Sequence, residues 1–195
     1  MSTLITYHES LAPITDKVIQ KFCDAWQMQG YYALVVTPYK DYPEGVPQLT
    51  SFLKKVVKYP TVNAKDYELL CYYRWLHIHR TMCVNSIDAA WILDYDVLPN
   101  KKHEYFTFPT LNQTTSYEHV ACCYWLREDL EDFIHLLQSI PPWQIDRRHI
   151  SDMTIFEHKF RPPAGYEFSV TNYPDTSGDL IHFYGCHQKE AMLAY

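Results

Sequence analysis

Two aspartates with one residue between them, Asp94 and Asp96, close a short apolar run in the stretch AAWILDYDVLP, residues 89–99. Trp91-Ile92-Leu93 has the character of a buried strand, and such a strand carries the next residues of the chain to a sheet rim. On an ideal strand, positions two apart share a face, so both carboxylates are expected to point the same way. Two hard oxygen donors suit Mg²⁺ or Mn²⁺, and hence a phosphate-bearing ligand. A turn carrying two solvated aspartates has the same spacing. The apolar run favours the ligand reading, because α/β ligands gather at the carboxyl ends of strands. The chain has 5 Gly and no GxxxxGK segment, so a glycine-rich phosphate loop is absent and a diphosphate would depend on the metal.

The elements that must position this pair follow from the hydrophobic pattern. Leu4–Tyr7 is expected as a strand, Thr15 or Asp16 caps a helix running to about Gln29, and Gly30 stops it. Tyr32–Thr37 is a continuous apolar strand, which makes a strand-helix-strand crossover, and the turn-rich loop PYKDYPEGVP comes next. Helices are expected over 49–58 and 64–79, the second with Leu69, Leu70, Tyr73, Leu76 and Ile78 mostly on one side. His77 and His79 on that helix are expected to be half-exposed. A strand over 87–93 then delivers the aspartates. Beyond them come short strands at Phe106–Pro109 and Val120–Trp125 and an amphipathic helix from Leu126 to about Ser139, stopped by Pro141-Pro142. A helix or strand begins at Asp152, and a late strand covers Leu180–Tyr184. The alternation implies an α/β chain. No linker is long enough to divide it, so one domain is expected.

Composition bounds the partners. The net charge of -6 over 195 residues argues against nucleic-acid binding by an electrostatic footprint. Apolar residues at 47% and charged residues at 21% describe a globular chain. The six cysteines show no CxxC pair and no zinc spacing, so reduced thiols in a cytoplasmic setting are expected. No run approaches the roughly 20 apolar residues of a membrane span.

The acidic pair, delivered by a strand after about a hundred residues of alternating elements, resembles the DxD motif of GT-A glycosyltransferases. Asp179-Leu-Ile-His182-Phe-Tyr-Gly185 is similar to the late HxxG of that family. The resemblance implies a GT-A-like (Rossmann-like) domain with a mixed, mainly parallel central sheet flanked by helices. Residues 1–98 would form the nucleotide-binding half and 99–195 the acceptor side, whole or as part of a longer polypeptide. It implies transfer of a sugar from a UDP- or GDP-sugar to a glycan, glycoprotein or other hydroxyl acceptor. Asp94, Asp96 and His182 would then hold Mn²⁺ (or Mg²⁺). Thr6 and Tyr7 would face the nucleotide base, and Arg74 and Tyr95 would lie toward the donor. Lys189 stands near the place of a lysine that touches the diphosphate, one residue further along than in the family.

Asp152, in Ile150-Ser-Asp-Met-Thr, lies in the segment from which the family supplies its acid/base carboxylate. The same residue suits a helix N-cap, and Glu118 and Glu157 are the next candidates for the base. Two other readings compete with the transferase. A haloacid-dehalogenase-like phosphohydrolase also uses DxD after an apolar strand, but with the pair near the N-terminus and Thr where Leu98 stands here. A non-catalytic GT-A-like module that binds sugar is the other.

Overall fold

The computed structural model describes residues 2–9, 13–38, 49–109, 116–119, 121–139, 148–159, 168–184 and 188–195. Most of the loop after Pro38, the Pro141-Pro142 stop and Gly185 lie outside them. The elements run β1 (Ser2–Tyr7), α1 (Pro13–Met28), β2 (Tyr31–Val36), α2 (Leu49–Val56), α3 (Lys65–Val84), β3 (Ala89–Leu93) and β4 (Val97–Pro99). They continue β5 (Ser116–His119), β6 (Cys122–Leu126), α4 (Arg127–Leu137), α5 (Asp152–Lys159), β7 (Val170–Asn172), β8 (Leu180–His182) and α6 (Lys189–Ala194). The chain forms two compact units, each built from interleaved segments.

The first unit gathers Met1–Thr37, Ala90–Tyr124 and Pro162–Tyr195. Its larger sheet has the order β2-β1-β3-β6-β5. β1 is parallel to both β2 and β3, with Leu4 opposite Ala33 on one side and Trp91 on the other. β5 and β6 are antiparallel, so the sheet is mixed. α1 makes the crossover between β1 and β2, and Gly30, with φ of 83°, ends it in the left-handed conformation that glycine adopts without strain. Val18, Phe22 and Trp26 recur every four residues on α1 and bury one stripe against Leu4, Trp91 and Leu93. Burial of side chains this size stabilises by about 1.5–3 kcal/mol each.

The smaller sheet has the order β4-β8-β7, with β8 antiparallel to β4 and parallel to β7. Trp26 Nε1 donates to the Val97 carbonyl at 3.1 Å and so ties α1 to the start of β4. Phe106–Pro109, expected as a strand, has no sheet partner among the described residues. The Phe108 amide donates instead to the Tyr31 hydroxyl at 2.8 Å, and Phe106 and Phe108 are buried among Trp26, Trp91 and Phe168. An alternating apolar pattern reports the burial there, but side chains satisfy the backbone that a ladder would otherwise pair.

The second unit gathers Pro38–Ala89 and Trp125–Arg161. Its core is aromatic, with Trp75, Trp125, Phe133 and Phe156 in mutual ring contact. The Tyr59 hydroxyl donates to the Leu137 carbonyl at 2.7 Å and the Tyr72 hydroxyl to the Ile150 carbonyl at 2.6 Å. Burial pushes both phenols up, Tyr59 to about 12. α3 departs from expectation in length and in its buried face, which includes Glu68, Tyr72, Trp75, His77, Ile78, His79 and Met82. His77 and His79, expected half-exposed, are 1% and 4% exposed. α3 packs against both α2 and α4, so no single apolar stripe marks its inner side.

Candidate metal centre

β3 ends at Leu93 and β4 begins at Val97, so Asp94-Tyr95-Asp96 is the connection between strands of two different sheets. The Val97 amide donates to the Asp94 carbonyl at 3.0 Å, which closes a four-residue turn. The Asp94 amide donates to the Ala121 carbonyl at 2.9 Å and anchors that turn to the segment before β6. The two aspartates therefore converge through a turn, not through the alternation of a strand. The turn is not a solvated one: Asp96 is 8% exposed and Asp94 half-buried.

The smaller sheet brings the third group. The antiparallel register of β4 and β8 sets Val97 opposite His182, and the Phe183 amide donates to the Asp96 carbonyl at 2.9 Å. One ligand atom from each of Asp94, Asp96 and His182 lies within 4.8 Å of the others. His182 Nε2 is 3.4 Å from Asp96 Oδ1. That oxygen is buried and has no hydrogen-bond partner among the described residues. Leaving a buried carboxylate oxygen unsatisfied is costly, and a cation relieves that cost. Two carboxylates and one imidazole are a donor set that suits Mn²⁺, so the residues present fit a divalent ion.

The other oxygen of Asp96 is taken. Lys189, 6% exposed at the start of α6, donates its ammonium to Asp96 Oδ2. The same ammonium sits 4.9 Å from the ring centroid of Tyr95. Burial pushes the Asp96 carboxyl up, but the groups around it, the charge of Lys189 among them, outweigh it and hold the carboxyl below its usual range. Lys189 is thus a buried counter-charge to a candidate ligand.

The remaining residues singled out in the sequence fall into two places. Thr6 and Tyr7 lie in β1 of the first unit; Thr6 Oγ1 is buried with no hydrogen-bond partner among the described residues, and the Tyr7 hydroxyl donates to Glu9 at 3.2 Å. Arg74 and Asp152 come together in the second unit. Asp152 Oδ2 accepts from Arg74 at 3.0 Å and from Trp75 Nε1 at 2.8 Å, and Oδ1 accepts from the Met153 amide at 2.9 Å. Its carboxylate is 2% exposed. Glu118 and Glu157 have backbones in β5 and α5.

Sequence reasoning missed two neighbours of the centre. His8, just past β1, is 7% exposed, packs edge-on against Tyr95 at 5.6 Å and reaches Asp16 at 3.1 Å. Asn172, the last residue of β7, meets His182 Nδ1 at 3.0 Å through its side-chain oxygen. A lone polar residue at a strand end carries no spacing signal, so nothing in the sequence distinguishes Asn172 from a surface asparagine.

No disulfide involves the described cysteines Cys23, Cys71, Cys83, Cys122 and Cys123, and no helix among the described residues is long and apolar enough to cross a membrane. No protein-family model matches the sequence, and no curated protein matches it significantly. Among solved structures the chain is similar to a glycosyltransferase involved in glycosylation of the major capsid of PBCV-1. The TM-score is 0.59 at 16% identity, and the match covers 99% of this chain and 98% of that one. Likeness at that identity is a statement about architecture: the chain has the fold of a glycosyltransferase.

Proposed function

We propose that the protein is a GT-A glycosyltransferase that moves a sugar from a nucleotide diphosphate sugar, UDP- or GDP-linked, to a hydroxyl of a glycan or glycoprotein. The observation that carries the reading is the convergence of Asp94, Asp96 and His182, with a buried Asp96 oxygen lacking a hydrogen-bond partner among the described residues, on the fold of a glycosyltransferase. Mn²⁺ (or Mg²⁺) bound there supplies a Lewis acid that stabilises the charge of the departing diphosphate. Asp94, Asp96 and His182 hold the ion, and Lys189 balances Asp96 while its charge also lies toward the diphosphate. Thr6 and Tyr7 at the end of β1 contact the base, Tyr95 lines the donor pocket, and Arg74 orients the donor side. Asp152 is the candidate to receive the acceptor hydroxyl's proton, and that service requires its release from Arg74 and Trp75.

Thermal-shift titration with Mn²⁺ and UDP-, GDP- and CDP-sugars tests the reading. Mn²⁺ alone is expected to raise the melting temperature, and a further rise is expected only when one nucleotide sugar is added with it. Asp94→Asn and Asp96→Asn are expected to abolish that shift and metal-dependent donor hydrolysis; unfolding without ligand is read for each as a control, because Asp96→Asn also leaves the buried Lys189 ammonium without its partner. No shift with any donor, or full hydrolysis by either variant, overturns the metal-centre reading. For Asp152→Asn, lost transfer with donor hydrolysis retained supports the base assignment, and unchanged transfer removes it.

A further inference from the structure

We propose that Asn172 is a positioning residue of this centre: it fixes the imidazole tautomer of His182 and so favours Mn²⁺ over Mg²⁺ at the site. The inference rests on the proposed metal centre and concerns a residue outside it. β7 and β8 are parallel, with Asn172 opposite His182, and the Tyr173 amide donates to the His182 carbonyl at 2.9 Å. The backbone therefore holds the asparagine beside the ring, with its side-chain oxygen 3.0 Å from Nδ1. An amide oxygen only accepts, so the hydrogen of a neutral ring resides on Nδ1 and Nε2 is the basic nitrogen. Nε2 is the atom that faces Asp96 Oδ1.

The opposite arrangement, with the amide turned and Nε2–H donating to Asp96, fits less well. A charge-assisted N–H···O bond spans about 2.7–2.9 Å, whereas Nε2 and Oδ1 are 3.4 Å apart and the oxygen has no hydrogen-bond partner among the described residues. A separation of 3.4 Å would let one cation touch both acceptors. An outer partner on the far nitrogen orients a ligating histidine and raises its basicity, and losing one typically costs roughly 10–100-fold in metal affinity. Imidazole nitrogen favours Mn²⁺ over Mg²⁺, which prefers oxygen throughout. Disabling the nitrogen should therefore penalise Mn²⁺ selectively. Asn172 is itself exposed, so its replacement opens no cavity.

The test is metal binding without nucleotide, with Mn²⁺ followed by electron paramagnetic resonance and Mg²⁺ by its competition against Mn²⁺. Wild type, Asn172→Ala and Asn172→Asp are compared, with thermal unfolding as the control for folding. Asn172→Ala is expected to weaken Mn²⁺ about 10–100-fold and to leave Mg²⁺ within a few-fold. Asn172→Asp, whose carboxylate accepts the same Nδ1–H, is expected to restore Mn²⁺ binding. Equal loss of both ions, unchanged Mn²⁺ affinity, or no rescue by aspartate overturns the inference while leaving the metal centre standing. Failure of the wild type to bind Mn²⁺ overturns the centre itself, and the inference with it.

Discussion

Asp96 divides its two oxygens between two neighbours. Its Oδ2 takes the buried ammonium of Lys189, and its Oδ1 faces His182. Removing one partner of a buried pair costs about 3–5 kcal/mol, because the other charge stays behind in a medium that solvates it poorly. Lys189→Met is therefore expected to lower the melting temperature of the metal-free protein. Saturating Mn²⁺ should raise the melting temperature of the variant by more than it raises that of the wild type, since the ion then supplies the missing charge. Equal metal-induced shifts in the two proteins, read by differential scanning fluorimetry, would count against Lys189 as the resident counter-charge. At this scale the sequence is informative where residue type and spacing coincide. Asp94, Tyr95, Asp96, His182 and Lys189 can be singled out because each is tied to a short pattern. Asn172 and His8 cannot, because their relevance comes from the partner that folding brings to them.

Helix α3 shows what packing does to an element's signature. It meets α2 and α4, and its Arg74 and Trp75 reach Asp152 at the first position of α5. Asp152 thereby ties α5 to α3 through residues 77 and 78 positions away in the chain. Arg74→Ala leaves that 2% exposed carboxylate with the Trp75 indole and the Met153 amide but no counter-charge. A loss of about 3 kcal/mol is expected, measured as a lower urea midpoint, with Arg74→Lys recovering part of it. An unchanged midpoint would show that the ion pair contributes nothing to holding α5. The same packing explains why the inner face of α3 differs from the expected one: a helix buried on more than one side loses its periodicity. By contrast α1, buried along one stripe, and β1 and β2, flanked by turn residues, are legible almost to their ends. The segment Phe106–Pro109 keeps its apolar pattern without becoming a strand, since its partners are the aromatic rings of the first unit.

For the molecule as a whole, buried histidines set a lower pH limit. Burial and the nearby Arg80 charge push His77 down from 6.5 to about 4, and burial also lowers His79. The folded state then binds its proton later than the unfolded chain does. This contribution to stability is fully present above about pH 6.5 and is lost as the pH falls from there toward 4. At about 1.4 kcal/mol per unit, His77 alone accounts for roughly 3 kcal/mol. Urea midpoints at pH 7 and pH 4.5 should differ less in His77→Gln than in the wild type; an equal difference would show that the charge on His77 is tolerated in the fold. The sequence by itself determined the strand-helix-strand start, the α/β class and the acidic pair, because these depend on contacts within a few residues or on one repeating period. Only the tertiary structure decided that the DYD is a turn between two sheets and that β8 carries His182 to Asp96. It also decided that Lys189 pairs with Asp96, that Asn172 backs the imidazole, and that Asp152 is held by Arg74. Those pairings join positions 10 to 93 residues apart, and no local pattern encodes a partner chosen by strand register and burial.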